Sequence, residues 1–207
     1  PDPNPDPGGN AQVYYFSTAR PTQLENESDG SVVRVDDSDI VQATVLDTGE
    51  VEYSVYFDGS DVGLTTNGED VDAFSILDDG RIVVSTHGGV RVPGVRGTSQ
   101  DLLVFTPDSL GEDTAGTWAM FLDGSDVGLT NGRANIRGVD VLENGDIIVA
   151  FNGGFNLAGV GRVAPQDLVR FSPDQLGART RGTFSLEFDG SDVGLRGRAE
   201  KIDAVDI

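Results

Sequence analysis

The sequence has no cysteine, and only one tryptophan, one methionine, one histidine and one lysine. Without cysteine there are no disulfides and no thiolate zinc sites. No apolar run approaches the roughly 18 residues that a membrane-spanning helix needs. Positive charge is scarce too: 14 basic residues stand against 35 acidic ones, a formal charge of −21. A chain this negative repels nucleic acid and anionic membrane surfaces, so neither is expected as a partner. Helical periodicity is missing as well. Of the acids 26 are Asp, a residue of turns and loops that disfavours helix interiors.

What the chain does have is proline at its start and repetition afterwards. Alternate residues from Pro1 to Pro7 are proline, which blocks helix and sheet. Residues 1–12 therefore read as a linker or arm, and residues 13–207 as one β-repeat domain. No secretory leader is visible, so the expectation is a processed precursor or a piece of something longer.

The stretch "FDGSDVGL" at Phe57–Leu64 returns as "LDGSDVGL" at Leu122–Leu129 and again as "FDGSDVGL" at Phe188–Leu195. Other landmarks keep the same step of 65 or 66 residues: "DDGRIVVS" (Asp78–Ser85) answers "ENGDIIVA" (Glu143–Ala150), and "QDLLVFTPDSLG" (Gln100–Gly111) answers "QDLVRFSPDQLG" (Gln166–Gly177). Each unit reads as four short strands rich in β-branched and aromatic residues, with an Asp-Gly or Asn-Gly hairpin turn between the first and second. The ends are complementary. "VYYFST" (Val13–Thr18) matches a second strand, and "KIDAVDI" (Lys201–Ile207) matches the first strand "DVDAFSI". The expected fold is all-β: three tandem four-stranded units of about 65 residues, one of them split between the termini. Their bounds are roughly 13–66 completed by 199–207, then 67–131, then 132–198. Trp118, Phe184, Tyr53, Phe105 and Phe171 are the expected core aromatics.

Tandem four-stranded units with one unit split between the termini resemble a β-propeller and its closing strand. The "FDGSDVGL" units are also similar to repeats in predicted secreted bacterial proteins of unknown function, a resemblance covering residues 13–207. It implies a propeller-like, extracellular or cell-surface protein. Propellers typically have 4 to 8 blades, so three units pose a closure problem. They would close as a compact threefold body, pair into a six-unit ring, or pass the terminal strand to the next molecule. The last is a heterologous contact that gives a ring or a filament. The strand interface expected in any of these sets Val13, Tyr14, Tyr15 and Phe16 against Ile202, Asp203, Ala204, Val205, Asp206 and Ile207.

The acidic loop is the first candidate for chemistry. Asp58/Asp61, Asp123/Asp126 and Asp189/Asp192 offer hard oxygens on a tight turn, a donor set that suits calcium. The same spelling also describes an Asx turn whose carboxylates cap backbone amides. A second repeated acid, Asp39, Asp101 and Asp167, opens the third strand and would join the loop if the two lie side by side. A third position holds Asp72 and Asp203 but Arg137 in the middle unit, which suggests Asp–Arg pairing between units.

Catalytic signals are weak. His87 has Asn152 as its repeat counterpart and no nucleophile partner, and the Gly-rich loops lack phosphate-binding spacing. The loops 87–100 and 152–166 carry Arg91, Arg96 and Arg162 beside Val92, Val95, Phe155 and Leu157. That mixture suits a carbohydrate or protein contact, or else folds back over the sheets. The expectation is a non-catalytic extracellular structural protein that associates with itself through its terminal strand. The alternatives are a monomeric ligand-binding module and a carbohydrate-active enzyme.

Overall fold

A computed structural model describes residues 11–197 and 200–207. The expected arm therefore lies almost wholly outside the described residues, as do Arg198 and Ala199. The chain is all-β, built of small antiparallel sheets.

The first sheet has three strands, β1 (Gln12–Ser17), β4 (Ile40–Val45) and β5 (Val51–Phe57), in the order β1-β4-β5. The second has four: β6 (Val71–Ile76), β7 (Ile82–Thr86), β10 (Leu102–Ser109) and β11 (Ala115–Leu122), in the order β6-β7-β10-β11. The third repeats it with β12 (Ile136–Val141), β13 (Ile147–Phe151), β16 (Leu168–Gln175) and β17 (Arg181–Phe188), in the order β12-β13-β16-β17. Between the second and third strand positions each unit inserts a two-stranded ribbon. The ribbons are β2 (Thr22–Glu25) with β3 (Val32–Val35), β8 (Val90–Val92) with β9 (Val95–Gly97), and β14 (Phe155–Leu157) with β15 (Gly161–Val163).

Burial follows sequence pattern. Every residue of β7 and of β13 is buried, which accounts for their unbroken runs "IVVST" and "IIVAF": each is an interior strand covered on both faces. β6, at a sheet edge, alternates buried and half-buried positions. The Asp-Gly and Asn-Gly hairpin turns sit where expected. Only the glycine is left-handed, as at Gly80 (φ 82°) and Gly145 (φ 85°), and no non-glycine residue has positive φ. A type I′ turn needs two left-handed residues, so these are type I turns closed by a left-handed glycine.

Two apolar clusters run across the sheet boundaries. Phe57, Phe105 and Trp118 pack edge-on or tilted between the first and second sheets, with ring centroids 4.9–6.0 Å apart. Phe151, Phe155 and Phe171 lie in the cluster shared by the second and third. Of the expected core aromatics, Phe105, Phe171 and Trp118 are buried, and Phe184 and Tyr53 are half-buried.

The expected completion of the first unit is not what the structure shows. Among the described residues no sheet closes on itself, and the first sheet keeps three strands. Residues 201–207 form no strand and instead lie along β12. The expected contact loops also fold inward: Val92, Phe155 and Leu157 are buried in the core clusters, and Val95 packs against one of them. Ribbon pairing turns their apolar side chains onto the sheets and leaves Arg91, Arg96 and Arg162 exposed.

Candidate functional site: the acidic joints between units

The repeated loop can be explained residue by residue. In the first copy, Asp58 Oδ1 accepts from the backbone N–H of Ser60 (3.0 Å), the Ser60 hydroxyl (2.7 Å) and the N–H of Asp61 (3.3 Å). Gly59 sits so close to the backbone of Ser38 that a Cβ would overlap the Ser38 carbonyl oxygen; Gly124 and Gly190 meet Gln100 and Gln166 in the same way. Gly63, Gly128 and Gly194 close the turn in the left-handed region at φ 100°, 88° and 91°, where glycine is favoured. The loop is thus an Asx-type turn with a fixed exit.

The second repeated acid is built into the same loop. Asp39 Oδ1 accepts from Gly59 N–H (3.1 Å) and its Oδ2 from Asp36 N–H (2.7 Å). Asp101 does this with Gly124 (2.8 Å) and Thr98 (2.7 Å), and Asp167 with Gly190 (3.1 Å) and Ala164 (2.8 Å). All three carboxyls are buried. The expected meeting of the two acids therefore takes place, across a glycine N–H. Burial pushes the Asp39 carboxyl above its ordinary range, the amides of Asp36 and Gly59 pull against that, and Asp58 and Asp36 add repulsion.

The second carboxylate of the loop reaches into the next unit. Asp61 Oδ2 accepts from the N–H of Thr114 (3.0 Å), while Thr114 Oγ1 accepts from Asp58 N–H (3.0 Å) and donates to Gly111 O (2.6 Å). Gly111 N–H donates to Tyr56 O (2.9 Å), and Trp118 covers Val62 with its Nε1 donating to Val62 O (3.0 Å). One unit later the set recurs. Thr180 N–H donates to Asp126 Oδ2 (2.9 Å), Thr180 Oγ1 accepts from Asp123 N–H (2.8 Å) and donates to Gly177 O (2.7 Å), and Gly177 N–H donates to Phe121 O (2.8 Å). The first two acidic loops are joints between units, and Thr114 and Thr180 are their partners. Sequence reading quoted the "LG" of this corner and missed the threonine. The signal was there: "LGEDTAGTW" (Leu110–Trp118) against "LGARTRGTF" (Leu176–Phe184).

The third loop has the turn without the joint. Asp189 Oδ1 accepts from Ser191 N–H (2.9 Å), and hydrogen bonding from Ser191 holds its carboxyl below the usual range. Among the described residues no corner threonine donates to Asp192, as Thr114 does to Asp61 and Thr180 to Asp126. Val193 is 64% exposed, where Val62 is 7% exposed. Among the described residues no three His, Cys, Asp or Glu side chains come together as a metal-holding group.

The third repeated position behaves as its chemistry suggests. Arg137 pairs with Asp203 (3.3 Å), whereas Asp72 accepts from Asn135 Nδ2 (3.3 Å) and lies 3.6 Å from His87 Nδ1. The Arg137 contact belongs to a larger pattern. Ile202 N–H donates to Pro165 O (3.1 Å), as Val71 does to Asp37 (2.9 Å) and Ile136 to Ser99 (3.0 Å). Ile207 N–H donates to Asp140 Oδ2 (3.0 Å), as Val141 N–H does to Ser75 Oγ (3.2 Å). Glu200 accepts from Arg196 and Gly197 N–H, as Glu69 does from Thr65 and Thr66. Residues 200–207 thus lie against the third unit as β12 lies against the second.

The expected strand interface is half assembled. Val13, Tyr14, Tyr15 and Phe16 on β1 line the same cavity of about 810 Å³ as Asp203–Asp206, with β6 and part of β12 completing its wall. Among the described residues no strand pairs the outer edge of β1, and Val13, Tyr14 and Tyr15 are 43%, 54% and 40% exposed. Comparison with known proteins gives no match: no family model, no curated protein and no solved structure matches this chain.

Proposed function

We propose that this is a non-catalytic structural module of an extracellular or cell-surface assembly. Its propeller-like units are joined through acidic loops, and copies associate when residues 201–207 of one are received by the β1 edge of another. The observation that carries this reading is the docking of 201–207 in unit register on β12 while, among the described residues, no strand pairs the outer edge of β1. An unpaired edge with exposed apolar side chains is a template for strand addition. The contact is heterologous, so it builds rings or filaments. A charge of −21 on each copy opposes such contacts at low ionic strength, and salt screening relieves that repulsion.

Light scattering of the intact chain tests this. A dimer or polymer that grows with salt supports it, and should fall to monomers that bind a free "KIDAVDI" peptide once Lys201–Ile207 are deleted. A mass of 21.8 kDa at every salt concentration overturns it. A second reading would then lead, a monomeric ligand-binding module. It is favoured by the cavity between β1, β6 and β12, where Tyr15 and Phe74 stand with Asp72, Asp78 and Asp140, a mixture suited to a carbohydrate. A glycan-binding screen on the monomer addresses it.

A further inference from the structure

The two occupied joints define what the third loop lacks. Each uses a corner of the pattern Leu-Gly-x-x-Thr-x-Gly-Thr-aromatic, at Leu110–Trp118 and Leu176–Phe184. Each corner brings a threonine N–H for the second loop carboxylate and a threonine hydroxyl for the first loop N–H, and in the first joint Trp118 also covers the loop valine. Loop three presents the matching half: among the described residues no corner threonine donates to Asp192, Val193 is uncovered, and Asp189 is already folded into the same Asx turn.

Among the described residues both corners of this pattern are taken. Thr114 is engaged by Asp61 and Thr180 by Asp126. The first unit's hairpin is a tighter turn, "LDTGEVEY" (Leu46–Tyr53), with Val45 paired to Val51 and no threonine at the corner position. It retains only the aromatic, Tyr53. The β1 edge of a second copy would accept strand 201–207 but has nothing for the loop beside it.

We infer that loop 189–194, together with strand 201–207, is a preformed docking surface for a β unit bearing the Leu-Gly-x-x-Thr corner and its aromatic. That unit is neither the N-terminal unit of this chain nor a second copy's occupied corners. The argument is continuity with an established interface, since the same loop is seated on such a corner twice in this molecule. The inference goes beyond the strand-joint reading: both use residues 201–207 but give them different receivers, so one molecule satisfies only one of them at a time. The loop contact is separate and has its own test.

The test extends the full chain after Ile207 with a second copy of residues 142–197, so that 201–207 runs into a unit carrying "LGART". Amide exchange should show the added unit protected, including its corner threonine. Asp192→Ala should then lower the melting temperature of the extended chain by about as much as Asp126→Ala does, and leave the 207-residue chain unchanged. An added unit that stays unprotected overturns the inference. So does a protected one in which Asp192→Ala is silent while Asp126→Ala is not. A parent chain that stays monomeric would defeat strand exchange between copies and leave this result standing.

Discussion

The first and third acidic loops carry the same eight residues and stand in opposite environments. In the first, Val62 is 7% exposed and Asp61 is bonded to Thr114; in the third, Val193 is 64% exposed and, among the described residues, no corner bonds Asp192. The difference lies in what arrives from the next unit. The turn itself is made within the loop and from the strand-opening Asp of its own unit, so it forms in all three copies. The joint needs a corner from elsewhere in the chain. Local sequence fixes the shape of the loop, and its environment decides whether that shape carries load.

The largest expected break in that comparison is Trp118→Ala. The indole is buried against Phe57 and Phe105 and caps Val62. Its loss should cost about 3–5 kcal/mol, as large aromatic truncations in cores do. The side-chain environment of Val62 should then resemble that of Val193. Chemical denaturation measures the cost, and methyl NMR of the two valines measures the convergence.

Next comes the corner itself. Thr114→Val removes a hydroxyl that accepts from Asp58 and donates to Gly111 while keeping its shape. Two groups are left without their partner, an expected cost of about 1–3 kcal/mol. Thr180→Val should cost a similar amount, and Thr183→Val, which touches no joint, should stay within about 0.5 kcal/mol. Equal effects at all three sites would mean that the corner threonines act through β propensity and not through the joint.

A pH series separates the two ends of the molecule. Asp37, Asp39 and Asp70, near the first joint, are all held above the ordinary carboxylate range, burial being the largest cause in each; Asp36 adds repulsion to all three. A carboxyl whose folded pKa is raised binds its proton more tightly folded than unfolded. Its contribution to stability is therefore greatest in acid and declines as pH rises through the folded value. In the third sheet Arg170 holds Asp146 (2.9 Å) and Glu187 (2.7 Å), and both carboxyls are pulled below their ordinary range. Their contribution is present above the unfolded value and is lost as pH falls through the folded one. On acidification from pH 7, amide protection around 36–41 should first rise, and protection across β16 and β17 should fall only at lower pH. Both regions weakening together would refute this assignment of signs.

Much of this was legible in the sequence, for identifiable reasons. Unit length, strand positions and the acidic turn are local properties that duplication repeats, so "DGSDVGL" and the Asp-Gly and Asn-Gly turns could be located. The partner of Asp61 could not be read from the loop, because Thr114 lies 53 residues away and only the fold brings it near. The C-terminal strand shows the same limit. The match of "KIDAVDI" to a first strand identified its position within a unit, and position within a unit does not say which neighbour it docks on. It went to β12 and left β1 open. The ribbon loops were ambiguous for a different reason, since Arg beside Val or Phe reads equally as a contact surface and as alternation, and only pairing showed which side chains turned inward.

The smallest expected effect concerns calcium, and it sharpens the comparison between loops most directly. In the first two joints the carboxylates are already committed: Asp58 to its own turn, and Asp61 and Asp126 to threonine amides. A cation there would share each carboxylate with those donors, which already take one of its two oxygens. The expected outcome is no change in melting temperature on adding about 10 mM calcium or a chelator. The measurement is sensitive enough to decide. A site with a Kd of about 0.1 mM would gain roughly 2.7 kcal/mol, several degrees for a chain of this size. A rise abolished by Asp61→Asn or Asp126→Asn would mean that the joints hold metal as well as amides. A rise abolished only by Asp189→Asn with Asp192→Asn would confine binding to the loop without a corner, where the same carboxylates have no competing donor from a neighbouring unit.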